Sequence, residues 1–244
     1  MEITNESPVL EINGLEKRFG GCHALRGVNM RIPAGQIAGL LGPNASGKTT
    51  LLKAAAGLIQ PTAGTIRYYE NAAPGPQARK TIGFCPDIMT FPGWMNVRDA
   101  FTFYSEMYDD YSQERADELI RTLELQGFIN NYINKLSKGM KERLALGLTF
   151  SRETKLYLLD EPLDGIDPVG KMRVIDTILA MQPQGASTLV STHLVKDIER
   201  IFDCVYFLSN GKMVFSGESE KIREERGQTV EQAYLEVFIN EGSI

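Results

Sequence analysis

Apolar and polar positions alternate at residues 9–12 and 28–32, the period of two expected of strands with one buried face. Residues 36–41 form a short apolar run that also predicts a strand. A glycine-rich turn follows, and residues 48–58, rich in Ala and Leu, predict a helix; Gly57 lies near its end and Pro61 prevents continuation. Strands are predicted at 65–69 and 81–85. From residue 96 to 128 the period becomes helical, which predicts a mainly helical insert over about 90–135, and Ser112 is placed to cap one of its helices. Strands at 156–159, 188–191 and 205–208 then alternate with helices at about 168–181 and from 194, an order that favours a parallel sheet. Asn210-Gly211 between two strand-like runs predicts a hairpin. Residues 218–226 and 229–239 predict closing helices, and APGP at 73–76 a loop.

Residues 42–49 read GPNASGKT, which fits G-x-x-x-x-G-K-[ST] directly after a strand and before a helix. Loop and helix N–H groups converge there on an anion, and the helix dipole adds to the attraction. Gly42 and Gly47 allow the backbone to approach phosphate closely, Lys48 supplies a cation to the β- and γ-phosphates, and Thr49 supplies a hydroxyl for Mg²⁺. Residues 156–161 read LYLLDE, four apolar residues followed by two acids. Ligands of open α/β sheets sit at the carboxyl ends of strands. Asp160 is therefore placed to hold Mg²⁺ and Glu161 to polarise an attacking water.

In this order the motifs resemble the ATP-binding subunits of ABC transporters, over about residues 9–217. The resemblance implies one P-loop NTPase domain over 1–244, α/β in class, with a parallel-sheet core (1–89 and 136–244), an N-terminal antiparallel β region and a helical subdomain insert at about 90–135. It implies ATP contacts from Gly42, Pro43, Asn44, Ala45, Ser46, Gly47, Lys48, Thr49 and Thr50, with Lys48, Glu161 and His193 catalytic. LSKGM at 136–140 stands in the place of the signature usually written LSGGQ, so Ser137, Lys138, Gly139 and Met140 are expected at the γ-phosphate held by a second subunit. LDGIDP at 163–168 resembles the loop that crosses the dimer interface, Asp164 and Asp167 being its polar members. Phe19 resembles the aromatic residue that stacks on adenine. Phe91, Trp94 and Met95 open the helical insert, either as a contact to a membrane subunit or as core. His23 has no partner motif and is expected at the surface.

Three positions depart from the family pattern. Ala45 stands where glycine is frequent; if the backbone there needs positive φ, alanine costs roughly 1 kcal/mol. Lys138 and Met140 replace Gly and Gln of the signature, and Lys138 either attracts phosphate or points to solvent. Asp87 stands where the family has a glutamine that helps hold Mg²⁺ and water; aspartate is a harder donor but shorter and charged.

Composition narrows the partners. With 26 Lys+Arg against 31 Asp+Glu the net charge is −5, which disfavours a broadly nucleic-acid-binding surface. No apolar run approaches the ~20 residues of a membrane span, the N-terminus lacks a signal-peptide pattern, and three scattered cysteines fit a reducing compartment. The expectation is a cytoplasmic protein, peripheral on the inner face of the cell membrane. Its expected partners are a transmembrane permease in a separate chain and a second ATPase subunit, identical or paralogous. The subgroup resembled is that of drug or peptide exporters. Two alternatives stand beside it: a soluble ATPase of the same superfamily acting on nucleic acid or ribosomes, and a non-catalytic nucleotide-binding subunit.

Overall fold

Two sheets organise the chain. The computed structural model describes residues 8–68 and 80–240, so the loop expected at 73–76 lies outside the described residues. Strands β1 (Pro8–Phe19), β2 (Cys22–Pro33) and β4 (Ala63–Tyr68) form an antiparallel sheet in the order β2-β1-β4. Strands β3 (Ile37–Leu41), β5 (Ile82–Cys85), β6 (Leu156–Asp160), β7 (Ser187–Thr192), β8 (Cys204–Ser209) and β9 (Lys212–Glu218) form the second, in the order β5-β6-β7-β3-β8-β9. Its first five members are parallel, and β9 returns antiparallel on β8 through the Asn210-Gly211 turn, both of whose residues have positive φ (46° and 77°). The sheet is therefore mixed at one edge rather than wholly parallel.

Every residue of β3, β6, β7 and β8 is buried, because both faces of this sheet are covered. The period of two divides those residues between two cores. Leu41, Tyr157, Leu159, Val190, Val205 and Phe207 point to one side, Leu40, Leu156, Leu158, Leu189, Tyr206 and Leu208 to the other. The second side is closed by helix α1 (Lys48–Ala55) and the antiparallel sheet. Helix α1 is three residues shorter than predicted, because Gly57 turns to a φ of 67° and its N–H closes on Ala54.

The first side takes the helices. In the insert, α2 (Val97–Met107) starts at a capping box in which Asn96 Oδ1 accepts from Asp99 N–H (2.9 Å) and Asp99 Oδ2 from Asn96 N–H (3.0 Å). Helix α3 (Gln113–Thr122) is capped by Ser112 as expected. Two 3₁₀ turns, Gln126–Phe128 and Ile133–Lys135, lead into α4 (Lys138–Phe150). Val97, Phe101, Leu119 and Leu123 share one core with Leu144 and Leu148 of α4, so the insert is packed directly on the helix that follows it. A buried cation adds to this junction. Arg152 donates to both Asp110 oxygens (2.8 and 2.9 Å) and to the carbonyls of Ile82 and Lys80, with Tyr108 stacked on its guanidinium at 3.8 Å. Met95 is core, Phe91 packs against it, and Trp94 is exposed. Helices α5 (Pro168–Met181), α6 (Val195–Ile198), α7 (Ser219–Arg226) and α8 (Val230–Asn240) complete the layer. Among the described residues no helix is long and apolar enough to cross a membrane.

Candidate functional site

The loop between β3 and α1 is shaped by backbone first. Gly47 has a φ of 110°, and a Cβ on it would meet the Ala24 carbonyl oxygen at 2.8 Å. Ala45 takes the left-handed conformation at φ 63°, so the strain foreseen for a non-glycine residue is present. The loop opens on a cleft of about 440 Å³ lined by Asn44, Ala45, Ser46, Gly47, Lys48, Thr49 and Thr50, together with Asp87 and Glu161. Gly42 and Pro43 contribute carbonyls: Lys48 Nζ donates to them at 2.8 and 3.1 Å.

Strand β6 delivers two carboxylates to this cleft. Lys48, almost wholly buried, pairs with Glu161 Oε1 at 3.0 Å. His193, just after β7, places Nδ1 at 3.0 Å and its backbone N–H at 3.3 Å from Glu161 Oε2. A carboxylate only accepts, so Nδ1 carries a proton toward Glu161 and Nε2 is left facing away from it. Glu161 itself sits at φ 49°, and such strain in a non-glycine residue concentrates at functional sites. Asp160 Oδ1 accepts from Thr49 Oγ1 (3.1 Å) and Ser191 Oγ (2.7 Å). Burial pushes the Asp160 carboxyl up, and the two hydrogen bonds pull it partly back. Its other oxygen, Oδ2, is buried with no hydrogen-bond partner. A buried hard oxygen with free lone pairs, beside a hydroxyl and near Asp87, suits a small divalent cation that keeps water or phosphate oxygens for its remaining positions. No group of three or more His, Cys, Asp or Glu among the described residues makes an all-protein cage.

The signature residues stand apart from this cleft. Ser137 caps α4, accepting from the Met140 N–H at 3.3 Å, and Gly139 is on the first turn. Lys138 is about half exposed and is paired within the chain. Its Nζ lies 2.5 Å from Asp164 Oδ2 and 3.7 Å from Glu142 Oε1. The ion pair holds the Asp164 carboxyl below the usual range and the Lys138 ammonium above its own. Glu142 is buried, and desolvation pushes it up to about 7. Asp87 reaches both regions: it lines the phosphate cleft and also a cleft of about 270 Å³ with Lys138, Lys141 and Glu142. Asp167 caps α5, accepting from Val169 and Gly170.

Phe19 is about half exposed at the end of β1, with Lys17 Nζ 4.8 Å from its ring centre, and it does not line the phosphate cleft. His23 corrects the surface expectation. It is partly buried, lies 3.5 Å from Glu16 and lines the phosphate cleft. A single histidine on a strand carries no local pattern that would have placed it there. The Lys48–Glu161 and Lys138–Asp164 pairs were likewise illegible, since the partners are far apart in sequence.

Comparison with known proteins fits this geometry. The family described as ABC transporter matches residues 25–164. The uncharacterized ABC transporter ATP-binding protein YdbJ of Bacillus subtilis is 31% identical over 237 residues, covering 94% of this chain and 74% of the relative. A daunorubicin resistance ATP-binding protein of Streptomyces coeruleorubidus is 27% identical, over 89% of this chain and 71% of its own. A solved structure described as the ATP binding subunit of an ABC transporter superposes with a TM-score of 0.83 at 25% identity, covering 94% of this chain and 99% of that one.

Proposed function

The chain belongs to the ABC transporter family of ATP-binding proteins, and on that premise we propose that it hydrolyses ATP to drive a separate membrane-spanning partner that exports a drug, peptide or similar cargo. The observation that carries this reading is Glu161: one carboxylate between Lys48 and His193, at the mouth of a phosphate-sized loop. A spectator acid has no reason to be held by both. Phe19 is the platform for adenine.

In the proposed cycle ATP displaces Lys48 from Gly42, Pro43 and Glu161, and the ammonium moves to the β- and γ-phosphates. Glu161, relieved of one partner, then takes a proton from the attacking water. His193, oriented through Nδ1, turns Nε2 to the γ-phosphate. Thr49, Asp160 and Asp87 would hold Mg²⁺, which when bound neutralises developing phosphate charge. Two subunits, identical or paralogous, close head to tail, so that Ser137, Lys138, Gly139 and Met140 of one face the nucleotide of the other. The helical insert passes closure to the membrane partner, and the chain works at the cytoplasmic face of the membrane.

Glu161→Gln tests the reading. The variant is expected to bind ATP, to lose hydrolysis about 10²- to 10⁴-fold and to accumulate as a dimer. Turnover at the parent rate would remove Glu161 from the mechanism.

A further inference from the structure

We propose that Lys138 is a positioning residue that ties the start of α4 to the loop carrying Glu161, so that this chain's signature and its own hydrolytic centre move as one unit. The inference rests on the functional reading above, in which Glu161 activates water and the start of α4 serves a nucleotide held by a second subunit.

A lysine at the first position of a helix opposes the helix dipole, which favours anions there. Its presence therefore calls for a compensating partner, and the chain supplies one. The Nζ is 2.5 Å from Asp164, in the loop between β6 and α5. The stem of the side chain lies flat on Gly165: a Cβ there would meet Lys138 Cδ at 2.7 Å, and the backbone at Gly165 is left-handed at φ 75°. Only glycine lets the stem lie so close. Asp164 in turn donates its N–H to the Glu161 carbonyl at 3.1 Å. The Glu161 carboxylate then reaches Lys48 and His193. A continuous run of contacts thus joins Lys138, Asp164, Glu161 and Lys48.

The Lys138 ammonium is committed to Asp164 rather than to an anion from outside the chain. Glu142, the other nearby carboxylate, is 3.7 Å away, beyond hydrogen-bond reach. Asp164 is therefore the partner that matters. An exposed pair of this kind adds little stability, and its value lies in fixing where the loop sits.

A double-mutant cycle on the full chain tests the tether, with Lys138→Met, Asp164→Asn, both together, and the reversal Lys138→Asp/Asp164→Lys. Each single change is expected to lower kcat about 3- to 30-fold with KM for ATP nearly constant. The double variant should be no worse than either single one, and the reversal should recover part of the loss. Hydrogen exchange of residues 161–166 in the nucleotide-free chain, read without activity, should quicken equally in both single variants. Losses that add, or exchange that does not change, would overturn the proposal. A rise in KM for Lys138→Met alone would overturn it in favour of phosphate attraction. Glu161→Gln, run alongside, separates the two readings: if it hydrolyses ATP normally the functional reading fails, and if it is inactive while the single losses add, only the tether fails.

Discussion

Two of the described helices begin with a lysine, and the two lysines are used in opposite ways. Lys48 starts α1 and Lys138 starts α4, and neither helix has an acid in its first turn. Each lysine is answered by a carboxylate from the same stretch after β6, Glu161 for Lys48 and Asp164 for Lys138. Lys48 is 5% exposed and has two loop carbonyls besides Glu161, whereas Lys138 is 54% exposed and meets only carboxylates, Asp164 at 2.5 Å and Glu142 at 3.7 Å. A buried ammonium without partners is costly, so the phosphate loop surrounds Lys48 with oxygens until a phosphate can take their place. An exposed ammonium carries no such penalty, and Lys138 is free to serve geometry. Of the non-glycine residues at positive φ among the described residues, Ala45, Glu161 and Asn210 line the phosphate cleft and Glu124 pairs with Arg143 of α4, while the left-handed residue beneath Lys138 is a glycine.

The largest effect that would break this contrast is on nucleotide affinity. Lys48→Ala should weaken binding of a fluorescent ATP analogue about 10- to 100-fold, as expected for one charge-assisted contact to phosphate. Affinity equal to the parent would mean that Lys48 stays with Glu161 and its loop when nucleotide arrives.

A second variant sharpens the other half. Glu142 belongs to the signature side, and burial, only partly opposed by Lys138, pushes its carboxyl up to about 7. The folded chain keeps a proton that the unfolded chain releases between the ordinary carboxylate value and about 7, so stability falls as pH rises through that window. Glu142→Gln removes the penalty. Its melting temperature should exceed that of the parent at pH 8 by an amount worth about 1 to 3 kcal/mol and match it near pH 4. Equal melting curves at pH 8 would show that Glu142 ionises there without cost.

The smallest effect concerns the strained loop. Ala45→Gly should raise stability by less than about 1 kcal/mol, read by thermal unfolding of the nucleotide-free chain. A loss instead would mean that the flexibility of glycine in the unfolded chain outweighs the relief.

What the sequence made legible follows from the range of each interaction. The phosphate loop, the LYLLDE strand, the Ser112 cap and the Asn210-Gly211 turn are local, and each was read from a few adjacent residues. The choice of exposed Trp94 over buried Met95 was not local, because neighbours on one short stretch face different surroundings. The antiparallel return of β9 on β8 follows from the Asn210-Gly211 turn and gives the otherwise parallel sheet one antiparallel edge. The contacts of Glu161 with Lys48 and His193 join three segments that only the sheet order β6-β7-β3 brings together. Motif order placed these residues in one site through family resemblance, but the distances and partners required the fold.

The β8–β9 hairpin bears on how readily the phosphate loop accepts its guest. Gly211, at the hairpin tip, donates its N–H to the Ser46 carbonyl at 2.8 Å, and Gly211 in turn accepts from Arg26 of β2 at 2.8 Å. The loop is thus sewn to both sheets before any nucleotide arrives. Conformational entropy that a slack loop would surrender on binding has here been surrendered during folding. Attraction to phosphate is then available for holding the ligand rather than for ordering the protein around it.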